Sequence, residues 1–227
     1  MTTERTAEQR KIEELRFHFT AALSSLATKG RNGVDAAWKN IVSVYKERPY
    51  HNLELIYNDL HTAREFQCSI SNPIIIASVL KYYKFHPLQS HVALIASKHA
   101  EFFLSSIFGC LDKSIEEIKS LIMASSQFMP PSPNEEYGLK LMYDMKMSRL
   151  ASKYFEADRS HAYLEFSAKT SNLNFYRSEQ ALLTCYNSHP ELFALNKFKV
   201  LTPIARENMG KRFIVLNGKI KFLENTN

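Results

Sequence analysis

The stretch Asn72–Phe85, "NPIIIASVLKYYKF", decides the fold class of this chain. Its apolar run is continuous and too long for one ordinary β-strand, which favours a helix that is buried on most sides. Lys81 is the charge within this helix that needs an explanation, because lysine is almost never fully buried without a partner. The stretch therefore predicts a buried helix with one unusual cation.

The segments on both sides show apolar residues at three- and four-residue spacing, as in residues 7–28, which is typical of amphipathic helices. Helix-start signals accompany several of them: Asp35 as an N-cap, Pro87, and Ser114 with Glu117 as a capping box. The predicted helices cover residues 7–28, 35–48, 51–67, 72–85, 87–108, 113–127, 136–156, 158–170, 171–187 and 203–210. These segments together predict an all-α fold.

The ending Arg212–Leu223, "RFIVLNGKIKFL", differs from the rest of the chain. Asn217-Gly218 lies between two runs rich in β-forming residues, which favours a small C-terminal β-hairpin packed on the helices. The alternative is that the last helix continues to Leu216 and that Asn217-Gly218 caps it.

The composition of the 227-residue chain suits one globular domain, since 45% of the residues are apolar and 23% are charged. Six glycines and the lack of a Gly-rich phosphate loop disfavour the common nucleotide-binding motifs. We expect neither a membrane span nor a secretory leader. The cysteines are odd in number and widely spaced, which indicates free thiols in a reducing compartment and predicts a cytoplasmic location.

The net charge of +6 is placed unevenly along the chain. Residues 197–227 hold seven Lys/Arg and two Asp/Glu, a net +5. This basic excess indicates a solvated segment or a surface for an anionic partner. Basic and aromatic residues do not alternate there as in nucleic-acid-binding modules, so we do not expect nucleic acid as a partner.

A set of motifs flanks the buried helix. Trp38 precedes "YKERPYHNLELI" at residues 45–56, "ASVLKYYKF" follows at residues 77–85, and weaker pieces lie around Asp144 and at Arg159. Taken in this order, these motifs resemble the HD-domain superfamily of metal-dependent phosphohydrolases.

The resemblance covers about residues 36–212 and implies a single HD-domain-like helical bundle over residues 1–227, with a basic C-terminal segment over residues 212–227. In such a site, histidines and carboxylates from separate helices converge on one or two divalent ions, which activate water and neutralise phosphate charge.

At several positions that match the family's ligands, this chain carries residues that do not bind divalent cations. Leu55 stands where the first motif has its second histidine, and Lys81-Tyr82 stand where the His-Asp doublet would lie. Gln89 and Lys146 occupy two acidic positions. We therefore predict that the protein holds no metal ion and no other cofactor, and that it is stable without one.

His51 and Asp144 are the family ligand positions that remain. His51 is either a hydrogen-bonded histidine at a helix start or a pocket residue that donates a proton or holds a phosphate. Lys81 either extends to the surface or points inward and pairs with Asp144 in place of the metal. The candidate pocket consists of Arg48, His51, Lys81, Tyr82, Gln89, Asp144 and Arg159.

These observations favour a degenerate family member that binds a small anionic ligand, such as a nucleotide or phosphorylated metabolite, or a protein partner. One alternative is an active phosphohydrolase with non-standard ligands, or with a metal-independent mechanism that uses His51 and Lys81. Another is a scaffold whose pocket has filled and whose basic C-terminal segment does the binding.

Overall fold

The computed structural model describes four ranges of the chain, 6–29, 33–83, 91–167 and 170–226. All regular secondary structure in these ranges is helical, and no β-strand occurs in them. The prediction of an all-α protein is therefore confirmed.

The chain divides into two compact units, an N-terminal unit over Met1–Ser126 and a C-terminal unit over Gln127–Asn227. Each unit has its own set of packed helices. The interpretation of residues 1–227 as a single domain stays a prediction.

In the N-terminal unit, the helix α4 lies at the centre of the core. Its residues from Ile74 to Leu80 are all buried, and it packs against α1, α3 and α6. Each of its buried aliphatic side chains contributes roughly 1.5–3 kcal/mol, which is why this run forms the core. The helices of this unit are α1 (Ala7–Leu26), α2 (Val34–Tyr45), α3 (Leu53–Glu65), α4 (Asn72–Leu80), α5 (Val92–Phe102), which continues into a π-helical turn (Phe103–Ile107), and α6 (Asp112–Ala124).

The start of α1 is fixed by a capping box that the sequence analysis did not identify. The backbone N–H of Gln9 donates to Thr6 Oγ1 at 3.2 Å, and the Thr6 N–H donates to Gln9 Oε1 at 2.9 Å. The predicted N-cap at Asp35 is wrong, because α2 begins at Val34 and Asp35 lies in its first turn. There the Asp35 carboxylate forms an ion pair with Arg16 at 2.8 Å.

The predicted capping box of Ser114 and Glu117 is also wrong. Helix α6 begins at Asp112, and its N-cap is Leu111. The Ser114 backbone N–H donates to the Leu111 carbonyl at 2.9 Å, inside the helix. Gly109 turns the chain just before this point with a φ of 62°, and a Cβ there would lie 2.7 Å from the side chain of a packed lysine. This glycine-dependent turn allows the helix to start three residues earlier than the capping pattern indicates, with Leu111 in place of Ser114 as the N-cap. The start predicted at Pro87 lies outside the described residues.

In the C-terminal unit, the predicted helix over residues 136–156 is wrong beyond Ser148. The backbone is extended at Ser152, with a ψ of 139°. The Asn208 side-chain amide holds this turn by donating to the carbonyls of Leu150 at 2.9 Å and Ser152 at 3.3 Å. The elements of this unit are α7 (Tyr137–Ser148), a 3-10 turn (Arg149–Ala151), α8 (Phe155–Ser167), α9 (Asn172–Ser188), a 3-10 helix (Asn196–Leu201) and α10 (Thr202–Thr226).

The predicted C-terminal hairpin is wrong, because α10 continues through Asn217-Gly218 to Thr226. The alternative, a helix that ends at Leu216, is wrong for the same reason. The buried residues of α10 recur at helical spacing, and this face packs along α9. Packing of that continuous stripe outweighs the local preference of Asn-Gly for a turn. The stripe consists of Ala205, Met209, Arg212, Leu216 and Ile220.

Hydropathy of the helices agrees with the expectation that no segment spans a membrane. Among the residues that the structure describes, no helix combines the length and the apolar character that a bilayer crossing requires.

Candidate functional site

The Lys81 side chain is buried in the N-terminal unit, where it forms an ion pair with Asp59 of α3. The Lys81 Nζ lies 2.9 Å from Asp59 Oδ2, and the two side chains are 0% and 2% exposed. Asp59 follows Ile56 by one turn on the buried face of α3. The prediction that Lys81 points inward is confirmed, but the prediction that Asp144 is its partner is wrong. The ammonium instead pairs with the Asp59 carboxylate, which the sequence analysis did not consider.

Asp144 has a different role, within the C-terminal unit. Its two carboxylate oxygens accept hydrogen bonds from the backbone N–H groups of Ala194 and Leu195, at 2.8 Å and 2.7 Å. Burial raises the pKa of Asp144 to about 7, while these two hydrogen bonds and the charge of Lys199 act in the opposite direction. The carboxyl group therefore anchors the chain just before the 3-10 helix that leads into α10.

His51 lies at the start of α3 and is enclosed by aromatic rings. Its ring centroid is 4.7 Å from that of Tyr50 and 4.4 Å from that of Tyr82. The Tyr82 ring also lies 5.2 Å from the Lys81 Nζ, so it contacts both the imidazole and the ion pair. Asn52, the next residue, caps α3. This packing supports the interpretation of His51 as a structural histidine at a helix start.

Arg48 binds the backbone at the C-terminal end of α4. Its guanidinium donates to the backbone carbonyls of Tyr82 and, at 3.3 Å, Tyr83, where the helix dipole favours a positive charge. The same guanidinium lies 4.9 Å from the ring of Tyr45, whose hydroxyl donates to the Val79 carbonyl at 2.5 Å. Burial raises the pKa of Tyr45 far above its ordinary value. Through these contacts, the Arg48 guanidinium holds the backbone at the end of α4.

Three of the other predicted positions lie in the described residues and make contacts within the chain. Leu55 is buried with its apolar side chain in the core. Lys146 donates to the Gln127 carbonyl and lies over aromatic rings. Arg159 lies on α8 with its guanidinium over a ring of the same helix. Gln89 lies outside the described residues.

The structure therefore gathers four of the seven predicted pocket residues around the end of α4. These are Arg48, His51, Lys81 and Tyr82. Over the ranges that the structure describes, no three or more His, Cys, Asp or Glu side chains are placed to hold a metal ion. These four residues do not fit the metal that the family resemblance implies, since the Lys81 ammonium is already paired with the Asp59 carboxylate.

A second buried ion pair, which the sequence analysis missed, lies in the C-terminal unit. Arg212 of α10 binds Glu179 of α9 through two bonds, Nε–Oε1 at 3.0 Å and Nη2–Oε2 at 2.9 Å. Its Nη1 also donates to Glu156 of α8 at 2.9 Å. A register signal was present in the sequence: Arg212, Glu179 and Asp59 each fall where the apolar stripe of their helix continues. A charge at such a position predicts a buried partner.

A groove of about 640 Å³ lies between α1 and α2 in the N-terminal unit. The side chain of Phe17 is exposed beside it, and the ion pair of Arg16 with Asp35 lines it. The remaining lining residues are Glu13, Thr20, Ala21, Ser24, Ser25 and Val34. The charged lining residues are the carboxylates of Glu13 and Asp35 and the guanidinium of Arg16, so the groove has no excess of positive charge.

Comparison of this chain with protein-family models, with curated proteins and with solved structures finds no match. The resemblance to the HD-domain superfamily stays a prediction, and the functional argument depends on the geometry described above.

Proposed function

We propose that this chain is a non-catalytic, HD-domain-like helical protein of the cytoplasm that acts as a regulatory or interaction protein. One observation carries the proposal: Lys81, which stands at the sequence position of the family's His-Asp doublet, forms a buried ion pair with Asp59. The three cysteines, all free thiols, support the location in a reducing compartment.

The electrostatics of the pair argue against a metal-dependent hydrolase. An ammonium that is hydrogen-bonded to a carboxylate neutralises it and repels a second cation at close range. Displacing the ammonium would leave it buried without its partner, at a cost of several kcal/mol. Leu55 adds a further loss, because a buried aliphatic side chain stands where a ligand would be needed.

The charge distribution favours a protein partner over a phosphorylated ligand. Arg48 and Lys81 are engaged with backbone carbonyls and with Asp59, and the groove between α1 and α2 has no excess positive charge. In the basic C-terminal segment, Arg212 is bound by two glutamates, and Arg206, which precedes that segment, donates to three backbone carbonyls. An exposed aromatic, Phe17, beside a groove of mixed polarity is instead typical of a protein contact.

The test is an assay of phosphate release and of thermal stability with nucleotides and phosphorylated metabolites, with and without Mg²⁺ or Mn²⁺. We expect no phosphate release and no stabilisation by these compounds. Metal-dependent phosphate release that is lost in His51→Ala but kept in His61→Ala would establish the alternative of an active phosphohydrolase. His61 is the matched control, because it lies exposed on α3, the helix that His51 precedes. Stabilisation by a nucleotide without metal, lost in Arg48→Ala, would instead establish an anionic ligand.

A further inference from the structure

The three cysteines differ in their surroundings. Cys110 is buried, and burial raises the pKa of its thiol. The Cys68 Sγ lies 3.9 Å from the carbonyl of Phe66. The Cys185 Sγ lies 3.9 Å from the Nε2 atom of His189, at the C-terminal end of α9. Cys185 is thus the cysteine beside a group that can accept its proton.

Backbone geometry holds the Cys185–His189 pair in place. The four-residue spacing puts both side chains on one side of the last turn of α9. Arg206 of α10 fixes the chain that follows, because its guanidinium donates to the carbonyls of Asn187 at 3.1 Å, His189 at 2.6 Å and Pro190 at 3.2 Å. The backbone that carries the imidazole is therefore held by contacts from a second helix.

The surroundings of the pair suit reaction with a small molecule. Cys185 and His189 are both half-buried, so the sulfur is shielded but not sealed from solvent. The Tyr143 hydroxyl is fully buried and has no hydrogen-bond partner in the described part of the chain. Burial chiefly raises the pKa of this hydroxyl, and the charges of Tyr186, Asp144 and Cys185 act in the same direction.

We propose that Cys185 is a thiol-modification site that exchanges with low-molecular-weight disulfides, with His189 as the base. The imidazole accepts the thiol proton, and the Cys185 thiolate attacks one sulfur of the external disulfide. The external S–S bond breaks as the mixed disulfide at Cys185 forms. The leaving thiolate takes the proton from the imidazolium, so no other oxidant or reductant is needed.

The experiment uses the purified full chain and glutathione disulfide, with the mixed disulfide at each cysteine followed over time by peptide mass mapping. We expect Cys185 to react first. In His189→Gln, its rate should fall by at least about tenfold, since a positioned base contributes roughly a hundredfold or more. The rate at Cys68 should stay unchanged and serves as the internal control. Cys110, which is buried, reports any unfolding of the chain by becoming reactive.

Two results would overturn the proposal. One is a Cys68 rate equal to or above that of Cys185 in the parent chain. The other is an equal Cys185 rate in the parent and in His189→Gln. If that variant exposes Cys110, the parent's pH–rate profile decides instead. A Cys185 reaction rate whose pH dependence shows deprotonation of an imidazole supports His189 as the base. A rate whose pH dependence shows only the ionisation of an ordinary isolated thiol contradicts this role.

Discussion

Replacement of Lys81 by methionine removes the ammonium of the buried ion pair and keeps most of the volume of the side chain. The Asp59 carboxylate then stays in the core without its cation, 2.9 Å from where the Nζ was. Breaking a buried pair in this way costs about 3–5 kcal/mol of unfolding free energy. For a chain of this size, that loss corresponds to a decrease in Tm of about 6–20 °C.

Urea unfolding followed by circular dichroism measures this cost, and a double-mutant cycle assigns it to the pair. Lys81→Met with Asp59→Leu should recover most of the lost stability, because the second substitution removes the stranded charge. Lys81→Met with Asp144→Asn is the matched control. The two effects should add, since Lys81 and Asp144 have different hydrogen-bond partners. A Lys81→Met variant as stable as the parent, or coupling to Asp144 in place of Asp59, would refute the reasoning.

Three further predictions concern the C-terminal unit. Because the folded pKa of Asp144 is raised to about 7, its contribution to stability is full below about pH 4 and is lost as the pH rises through about 7. The stability difference between the parent and Asp144→Asn should therefore shrink between about pH 4 and pH 8 in urea titrations, and a constant difference would contradict the assignment. Glu179→Gln should destabilise the chain by about 3–5 kcal/mol, because Arg212 loses its buried partner; a loss below about 1 kcal/mol would show that the pair is solvated. Gly218→Ala should stabilise the chain by roughly 0.5–1 kcal/mol, since a Cβ there meets nothing within 4 Å in a helix. A hairpin turn at Asn217-Gly218 would give destabilisation instead, so this variant also tests the corrected C-terminus.

The all-α fold was predictable because apolar periodicity reports which face of a helix is buried. The uninterrupted run of α4 and the stripe of α1 both fold as that rule predicts. Asn217-Gly218 misled the analysis, since the turn preference of two residues is weaker than the packing of a whole helix face against α9. The ends of helices were also poorly predicted, because the start of α6 depends on a tertiary contact of Gly109.

The candidate site was predictable only in part. The inward orientation of Lys81 followed from its position in an apolar helix, but its partner did not. The family pattern directed attention to Asp144, whereas Asp59 lies on the helix that packs beside Lys81 and carries no motif. A search for charges in the buried register of each helix finds Asp59, Glu179 and Arg212 without any family pattern. The register of charges on the helix faces is therefore a better guide to these buried ion pairs than the family motif, although the sequence analysis did not apply it.

The metal content of the purified chain tests the central claim most directly, namely that an internal ion pair stands where the family resemblance implies a metal. Elemental analysis of protein purified without added metal should give far less than one Mn, Fe, Zn, Ni or Co per chain, because Lys81 already neutralises Asp59 and Leu55 provides no ligand. About one tightly bound transition-metal ion per chain would contradict the account.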